Sequence, residues 1–174
     1  MQHRLVSIED AQILAKYYAL NKGHLQHWEP ERDVIFYTEA FWAHRLKQWE
    51  AQRDSGEAVH FLRSSGDDTA VVAVFSLTKI SLGCFQACII VYSVSESAQC
   101  TVAIKSLLNF VINYAFNELG LNRVMANYMP RNTRSERLLS NLGFNREGIA
   151  ERYLCINGVW EDQVLTSLLN PKNR

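Results

Sequence analysis

A polar loop that runs into an apolar, helix-like stretch is the part of this sequence best suited to bind a phosphate. It reads SESAQCTVAIKSL and spans residues 95–107. A helix start carries unpaired N–H groups and a partial positive charge, which favours anions. The hydroxyls of Ser95, Ser97 and Thr101 stand beside this helix start and can donate to phosphate oxygens. Cys100, in the same loop, is either a reactive thiol or an inert, partly buried one.

The loop has an unusual composition for such a role, because no glycine occurs from Cys84 to Leu119. Phosphate-binding loops use glycine because it reaches positive φ easily and has no Cβ where phosphate oxygens must lie. A phosphate bound here would have to be held by hydroxyls and by amides that converge at negative φ.

The bulk properties of the chain narrow the classes of function. The 174 residues carry 18 basic and 18 acidic side chains, so the net charge is zero. A balanced charge does not favour nucleic acid or an anionic membrane as a partner. No apolar run has signal-peptide or membrane-spanning length, and we expect a cytoplasmic protein with one domain over residues 1–174. The four cysteines and five histidines lack metal-site spacings, so we expect free thiols in the core and no metal.

The first half of the chain predicts two helices followed by three strands. Apolar residues recur at helical spacing over 9–21, and Gly23 is expected to end that helix. A second helix is predicted over 37–53, and strands over 57–63 and 69–77 read as a hairpin. Residues 85–94 are apolar at nearly every position, which is typical of a central strand covered on both faces.

The second half alternates helices and strands. An amphipathic helix is predicted over 103–119 and a strand over 122–129. Asn132 is a good N-cap for a further helix that ends before Gly143. Asn157-Gly158, between two alternating runs, predicts a tight hairpin. The element order indicates an α/β domain, with about four helices around a mixed, largely antiparallel sheet.

Three stretches resemble the GNAT N-acyltransferase superfamily, and in particular its Rim-type branch of ribosomal-protein-alanine N-acetyltransferases. They are WEPERD (28–33), RVMANYMPRNTRSERLLSNLGF (123–144) and YLCINGVWEDQVLTS (153–167). The resemblance implies a GNAT fold whose sheet splays open between strands 4 and 5, here 85–94 and 122–129. It also implies that acetyl-CoA lies in that opening and that the acceptor is a protein or peptide amino terminus, or a small amine.

The resemblance assigns cofactor contacts to β-strand 4 and to the loop after it. The backbone near Tyr92 and Val94 would bind the thioester and the pantetheine arm. Gln99 matches a position of the family's phosphate loop, and Thr101 lies beside it. Cys100 and Val102 replace residues that are typically glycine in this branch. A non-glycine residue forced into a left-handed conformation costs about 1–2 kcal/mol, so this departure weakens the expectation that CoA binds.

The resemblance also suggests residues for the chemistry. Ser135 matches a hydroxyl near the CoA sulfur that can protonate the leaving thiolate, and Asn132 matches a CoA contact; the alternatives are an ordinary first-turn serine and a helix cap. No carboxylate lies in 85–94, so the amine would lose its proton to water, to Glu29 or to Asp162. For Asp162 the favoured alternative is a structural one, in which it holds a loop by accepting backbone hydrogen bonds.

Two aromatic side chains complete the predicted site. Trp28 and Tyr128 would line the slot for the acceptor amine, although aromatic residues of this kind are more often part of the core.

The sequence and the resemblance are consistent with two alternative functions. The first is an acetyl-CoA-dependent N-acetyltransferase that works by direct attack in a ternary complex. The second is a GNAT-fold binding or regulatory protein that no longer binds CoA, with Cys100 and Val102 filling the phosphate site. The sequence leaves open whether the chain is a monomer or a homodimer.

Overall fold

The computed structural model describes residues 3–65, 70–98 and 102–173, and it contains one sheet with helices on both faces. The strands are β1 (His3–Leu5), β2 (Val59–Ser64), β3 (Val71–Ser81), β4 (Ala87–Val94), β5 (Arg123–Tyr128), β6 (Asn145–Ile156) and β7 (Val159–Leu169). The helices are α1 (Ala11–Leu20), α2 (Lys22–Leu25), α3 (Glu39–Asp54), α4 (Val102–Asn117) and α5 (Thr133–Ser140). Short 3₁₀ turns lie at Ile8–Asp10, Val34–Tyr37 and Glu96–Ala98.

The seven strands lie in the order β1-β2-β3-β4-β5-β7-β6. All neighbours are antiparallel except β4 and β5, which are parallel. The mixed, largely antiparallel α/β architecture expected from the sequence is confirmed.

The sheet opens between its two parallel strands. β4 and β5 pair only through Ala87↔Arg123, Cys88↔Val124 and Ile89↔Met125 in the described residues. Beyond these pairs β4 runs on to Val94 and β5 to Tyr128, with no further pairing between them. The predicted splay between strands 4 and 5 is therefore present.

Two hydrophobic clusters pack on opposite faces of the sheet. Phe61 and Phe75 belong to the cluster under α4, whereas their neighbours Leu62 and Val74 belong to the cluster under α1 and α3. Successive side chains of a strand point to opposite faces, so β2 and β3 supply both clusters at once. Helices therefore cover both faces of the sheet.

Several local predictions are confirmed. Asn157 and Gly158 have φ values of 45° and 78°, as a tight hairpin turn requires. Asn132 caps α5 through its side chain. Gly143, at φ 87°, follows that helix. These features depend on local backbone geometry, which is why the sequence predicts them well.

Other predictions need correction. The helix predicted over 9–21 divides into a 3₁₀ turn and α1, and Gly23 does not end it but lies within α2, because Asn21 separates the two helices. β1 was not predicted, since three residues are too short to show a periodicity. The third predicted strand begins at Ala87 instead of residue 85, after Gln86 at φ 44°.

The expectation that this strand is covered on both faces is also wrong. Val91 in β4 is 54% exposed, because β5 has diverged at that level of the sheet. Cys88 is buried as expected, but Cys84 and Cys155 are exposed thiols, in a turn and on β6. In residues 3–65, 70–98 and 102–173, no helix is long and apolar enough to cross a membrane.

Candidate active site

Backbone groups of β4 face the opening in the sheet. The N–H of Ser95 donates to the carbonyl of Val72 at 2.9 Å, on the β3 side. Hydrogen-bonding directions alternate along a strand, so the N–H and C=O groups of Val94 and Tyr92 point the other way, toward β5. The described pairing with β5 ends at Ile89. These backbone groups are thus available to a ligand that enters between the strands.

A pair of hydroxyls crosses the opening on the α4 side. Tyr92 on β4 donates from Oη to Ser135 Oγ at 3.0 Å, and Ser135 lies in the first turn of α5. Burial raises the pKa of the Tyr92 phenol, and the hydrogen bond to Ser135 partly opposes that shift. The phenol therefore stays protonated at neutral pH and acts as a donor.

Asn132 holds the position of Ser135. Its Oδ1 accepts a hydrogen bond from the Ser135 N–H at 3.1 Å, which makes it the N-cap of α5. This contact supports the capping alternative. A contact between Asn132 and a cofactor remains a prediction.

The loop after β4 is described only in part. Ser95 is buried and its Oγ lies 3.3 Å from Ser97 Oγ. The Glu96 N–H donates to Asn21 Oδ1 at 2.9 Å, so the end of α1 holds the start of this loop. Gln99, Cys100 and Thr101 lie outside the described residues. The helix α4 begins at Val102, directly after them, as the predicted helix start requires.

Glu29 lies in a cavity on the other face of the sheet. The cavity has a volume of about 240 Å³ and is formed by α1, α2, the loop before α3 and the β6–β7 turn at Asn157. Only 20% of the Glu29 side chain is exposed, and Arg32 lies 3.4 Å from its carboxylate. Burial raises the pKa of Glu29, although the positive charge of Arg32 opposes the shift. A carboxylate with a raised pKa is a suitable general base near neutral pH.

Two tyrosines connect this cavity with β4. Tyr17 donates from Oη to Ser93 Oγ at 3.1 Å, and both residues are buried. Burial raises the pKa of Tyr17 and of Tyr18, and the negative charge of Glu29 adds to both shifts. β4 therefore presents Ser93 to the Glu29 side and Tyr92 to the Ser135 side, which places a candidate base and a candidate acid on opposite sides of one strand.

Trp28 and Tyr128 have different surroundings. The Arg131 guanidinium lies 5.6 Å from the centre of the half-buried Trp28 ring, and Arg131 also pairs with Glu161 of β7 at 2.8 Å. Tyr128 is 7% exposed and belongs to the cluster under α4, as the core alternative proposed. The slot shared by Trp28 and Tyr128 remains a prediction.

Asp162 has a structural role in the β6–β7 hairpin. Its Oδ1 accepts a hydrogen bond from the Arg152 N–H at 2.8 Å. Arg152 has a φ of 48° and lies where the register of β6 and β7 shifts. The contact supports the alternative that the sequence favoured for Asp162, in which it holds the backbone, and a direct contact with substrate remains a prediction.

Sequence reasoning missed three residues of this region. Tyr17 reads as an ordinary position of an amphipathic helix, and Ser93 as a small residue in an apolar strand. Arg131 gave a weak signal, as a charge directly after Pro130 at the end of a strand. Within the described residues, no cluster of three or more His, Cys, Asp or Glu side chains is arranged to hold a metal ion.

Comparison with known proteins gives matches over nearly the whole chain. Residues 4–165 match the family model described as an acetyltransferase (GNAT) domain. Ribosomal protein uS5-alanine N-acetyltransferase from Escherichia coli (strain K12) is 38% identical over 168 residues, which cover 97% of this chain and 87% of that protein.

Solved structures have the same fold. The ribosomal-protein-S5-alanine acetyltransferase from Vibrio fischeri superposes with a TM-score of 0.95 at 35% identity, covering 99% of this chain and 94% of that one. Mycobacterium smegmatis RimJ, in complex with CoA-disulfide, gives a TM-score of 0.90 at 24% identity over 98% of this chain and 82% of its own. At that identity the second match shows the fold alone.

Proposed function

The chain belongs to the GNAT acetyltransferase family and is an N-acetyltransferase, and from that premise we propose that it moves the acetyl group of acetyl-CoA to the amino-terminal nitrogen of a protein. The observation that carries this proposal is the opening beyond Ile89, where the described pairing of β4 with β5 ends and the Tyr92 side chain contacts the Ser135 hydroxyl. The two relatives named for acetylating an alanine of ribosomal protein S5 support an amino-terminal alanine of a ribosomal protein as the acceptor.

The residues around the opening fit acetyl-CoA. The N–H and C=O groups of Tyr92 and Val94 would bind the thioester oxygen and the pantetheine arm, and they are main-chain groups that side-chain replacement does not remove. The first turn of α4, beginning at Val102, would face the diphosphate with its N–H groups. Ser97, at the start of the same loop, adds a hydroxyl. When bound, the coenzyme supplies the activated acetyl group.

Side chains on the two sides of β4 would accept and donate the protons that the reaction transfers. The acceptor amine must lose a proton before or during its attack on the thioester carbonyl, and Glu29 would accept that proton, directly or through water. A backbone N–H near Tyr92 would stabilise the oxyanion. Ser135 would donate its proton to the departing sulfur. No covalent acyl-enzyme is required, so Cys100 has no step in this scheme.

The acceptor class is tested with a peptide that begins with alanine and contains an internal lysine. Released CoA is measured, and mass spectrometry locates the acetyl group. We expect one acetyl group on the α-nitrogen, and no reaction when the same peptide is supplied with a blocked amino terminus. Acetylation of the lysine, or of spermidine in preference to the peptide, would overturn the amino-terminal acceptor.

Cofactor binding is tested separately by calorimetric titration with acetyl-CoA. Micromolar binding is expected. The variant Cys100→Gly/Val102→Gly should bind more tightly, because it restores glycine at two positions where the resemblance expects it. If the wild-type chain shows neither heat nor a thermal shift at millimolar acetyl-CoA, the chain is instead a binding protein on the same fold. If the wild-type chain binds acetyl-CoA but the double glycine variant does not bind it more tightly, the side chains of Cys100 and Val102 do not hinder cofactor binding, and the steric explanation is wrong.

A further inference from the structure

The side chain of Tyr92 contacts the residue to which we assign protonation of the leaving thiolate. Its Oη lies 3.0 Å from Ser135 Oγ, although 43 positions separate the two residues in the chain. The resemblance assigned a role only to the Tyr92 backbone. The phenol hydroxyl is thus a polar group at the centre of the site that the scheme above does not use.

Both hydroxyls are held in place. The Tyr92 ring is stacked on Phe75, with 5.7 Å between ring centres and 18° between planes, and it packs against the cluster under α4. Ser135 is held by the first turn of α5, whose N-cap Asn132 binds the Ser135 N–H. These contacts hold the Tyr92 ring and the backbone of Ser135 next to each other.

In this structure the Tyr92 hydroxyl donates and Ser135 Oγ accepts. The phenol retains its proton at neutral pH, so it has a hydrogen to donate. A serine hydroxyl has one proton and two lone pairs, and the bond from Tyr92 occupies one lone pair. The Ser135 proton is consequently left to point at a different group.

We propose that Tyr92 is a positioning residue that directs the Ser135 hydroxyl proton toward the sulfur of the leaving thiolate. This inference rests on the proposed function. A hydroxyl that accepts one hydrogen bond is a stronger donor in the next, so the contact also strengthens donation from Ser135. In this step the S–C bond to the acetyl group breaks, the Ser135 proton moves to sulfur, and solvent returns a proton to Ser135. Tyr92 keeps its own proton throughout.

The test is a double-mutant cycle on the full chain with Tyr92→Phe, Ser135→Ala and the double variant. Phenylalanine keeps the ring that stacks on Phe75 and removes only the hydroxyl. We expect Tyr92→Phe to lower kcat about tenfold, the effect of one hydrogen bond, with the KM for acetyl-CoA unchanged within about twofold. In the Ser135→Ala background the same change should have no further effect, because the group that Tyr92 directs is gone.

The control is Tyr114→Phe, a half-buried tyrosine that packs on Phe61 away from β4. It should match wild type in kcat. Thermal denaturation of every variant shows whether the fold is retained, and CoA release is followed with the alanine peptide described above.

Two results overturn the inference while leaving the proposed function intact. One is a Tyr92→Phe enzyme with wild-type kcat. The other is an equal loss of kcat with and without Ser135, which would indicate a purely structural effect. If Tyr92→Phe fails to fold, Tyr92→Leu replaces it in the same cycle, because leucine also lacks the hydroxyl. A loss of kcat only where Ser135 is present supports the inference, and an equal loss with and without Ser135 overturns it. Wild-type protein that transfers acetyl to no amine contradicts the proposed function itself.

Discussion

Burial and hydrogen bonding give two described carboxylates, Asp10 and Glu29, opposite pKa shifts. Asp10 is buried too, and burial alone would raise its pKa, but hydrogen bonds from Arg4 at 2.6 and 2.7 Å and from the Ser7 N–H lower it. Among the described residues, the Glu29 carboxylate has only the longer contact to Arg32, at 3.4 Å, and the pKa of Glu29 is raised. The same carboxylate chemistry thus gives a structural anion at Asp10 and a candidate proton acceptor at Glu29.

Glu29→Gln should lower kcat by at least about tenfold, since the glutamine cannot accept a proton. A base works in its deprotonated form, so wild-type kcat should rise with pH through the raised pKa of Glu29, above the ordinary carboxylate range. The variant should lose this rise. The measurement is a pH–rate profile with the alanine peptide, and Glu57→Gln, at an exposed position, is the control. A variant with the wild-type profile would assign deprotonation to water.

The β6–β7 hairpin shows how an element can be shaped by one side chain. Arg152 takes a left-handed conformation that is unfavourable for a residue with a Cβ, and the Asp162 carboxylate binds its N–H. The bulge bends the hairpin, whose turn at Asn157 borders the Glu29 cavity. The bulge that Asp162 holds thus lies in the same hairpin as a residue that borders this cavity.

Asp162→Ala should lower the free energy of unfolding by about 1 kcal/mol, the typical net effect of one intramolecular hydrogen bond, because this contact is exposed to solvent. Asp162→Asn keeps an acceptor oxygen and should lose less. Arg152→Gly should change stability in the opposite direction, because glycine adopts this φ without strain. Chemical denaturation measures all three. Equal stability of the alanine and asparagine variants would show that this hydrogen bond does not hold the bulge.

The end of α1 is connected to the loop that precedes α4. Asn21 donates from Nδ2 to the Tyr17 carbonyl at 2.8 Å and accepts from the Glu96 N–H at 2.9 Å. One side chain thus joins the helix that carries Tyr17 to the start of the proposed phosphate loop.

Asn21→Ala should raise the KM for acetyl-CoA several-fold and leave kcat at saturation nearly unchanged, because the loop loses an anchor while the groups on β4 stay in place. Asn21→Asp keeps the oxygen that binds the Glu96 N–H and should be milder. Steady-state kinetics at varied acetyl-CoA separates the two constants. A fall in kcat with constant KM would place the role of Asn21 on the acceptor side instead.

In the whole molecule, α3 covers a histidine of the sheet, and the burial of this titratable group makes stability depend on pH. His60 of β2 is 7% exposed, stacked on Trp49 of α3 at 3.8 Å, and its Nδ1 lies 2.8 Å from Ser76 Oγ. Its Nε2 has no hydrogen-bond partner among the described residues. Burial, together with the charge of Arg45, lowers the pKa of His60 to about 4. The folded protein therefore holds this imidazole neutral.

Because the pKa is lowered from 6.5 on folding, the unfolded chain binds the proton more tightly than the folded one. The stability that depends on neutral His60 is complete above pH 6.5 and is lost as the pH falls toward 4. The full effect is on the order of 3 kcal/mol. Unfolding free energies measured from pH 7 to pH 4 should show this loss, and His60→Leu should flatten it, whereas the exposed His44→Gln should not. A pH dependence unchanged by His60→Leu would assign the loss to other groups.

The features that depend on neighbouring residues were predictable from the amino-acid sequence. Asn157-Gly158 specified the hairpin turn and Asn132 the start of α5, because positive φ and capping are local properties. Apolar periodicity located the main helices and strands to within a few residues. The motif-rich stretch 123–167 indicated the family, and with it the open sheet.

Contacts between distant groups, and the burial of side chains, depend on the tertiary structure. The Tyr92–Ser135 hydrogen bond and the Tyr17–Ser93 hydrogen bond join residues 43 and 76 positions apart, and no local pattern records either. Val91 looked like a covered strand residue, yet it is exposed because β5 diverges beside it. Burial and long-range hydrogen bonds arise from packing between elements of the sheet and its helices. The contacts between side chains of the site could therefore not be predicted from local sequence patterns.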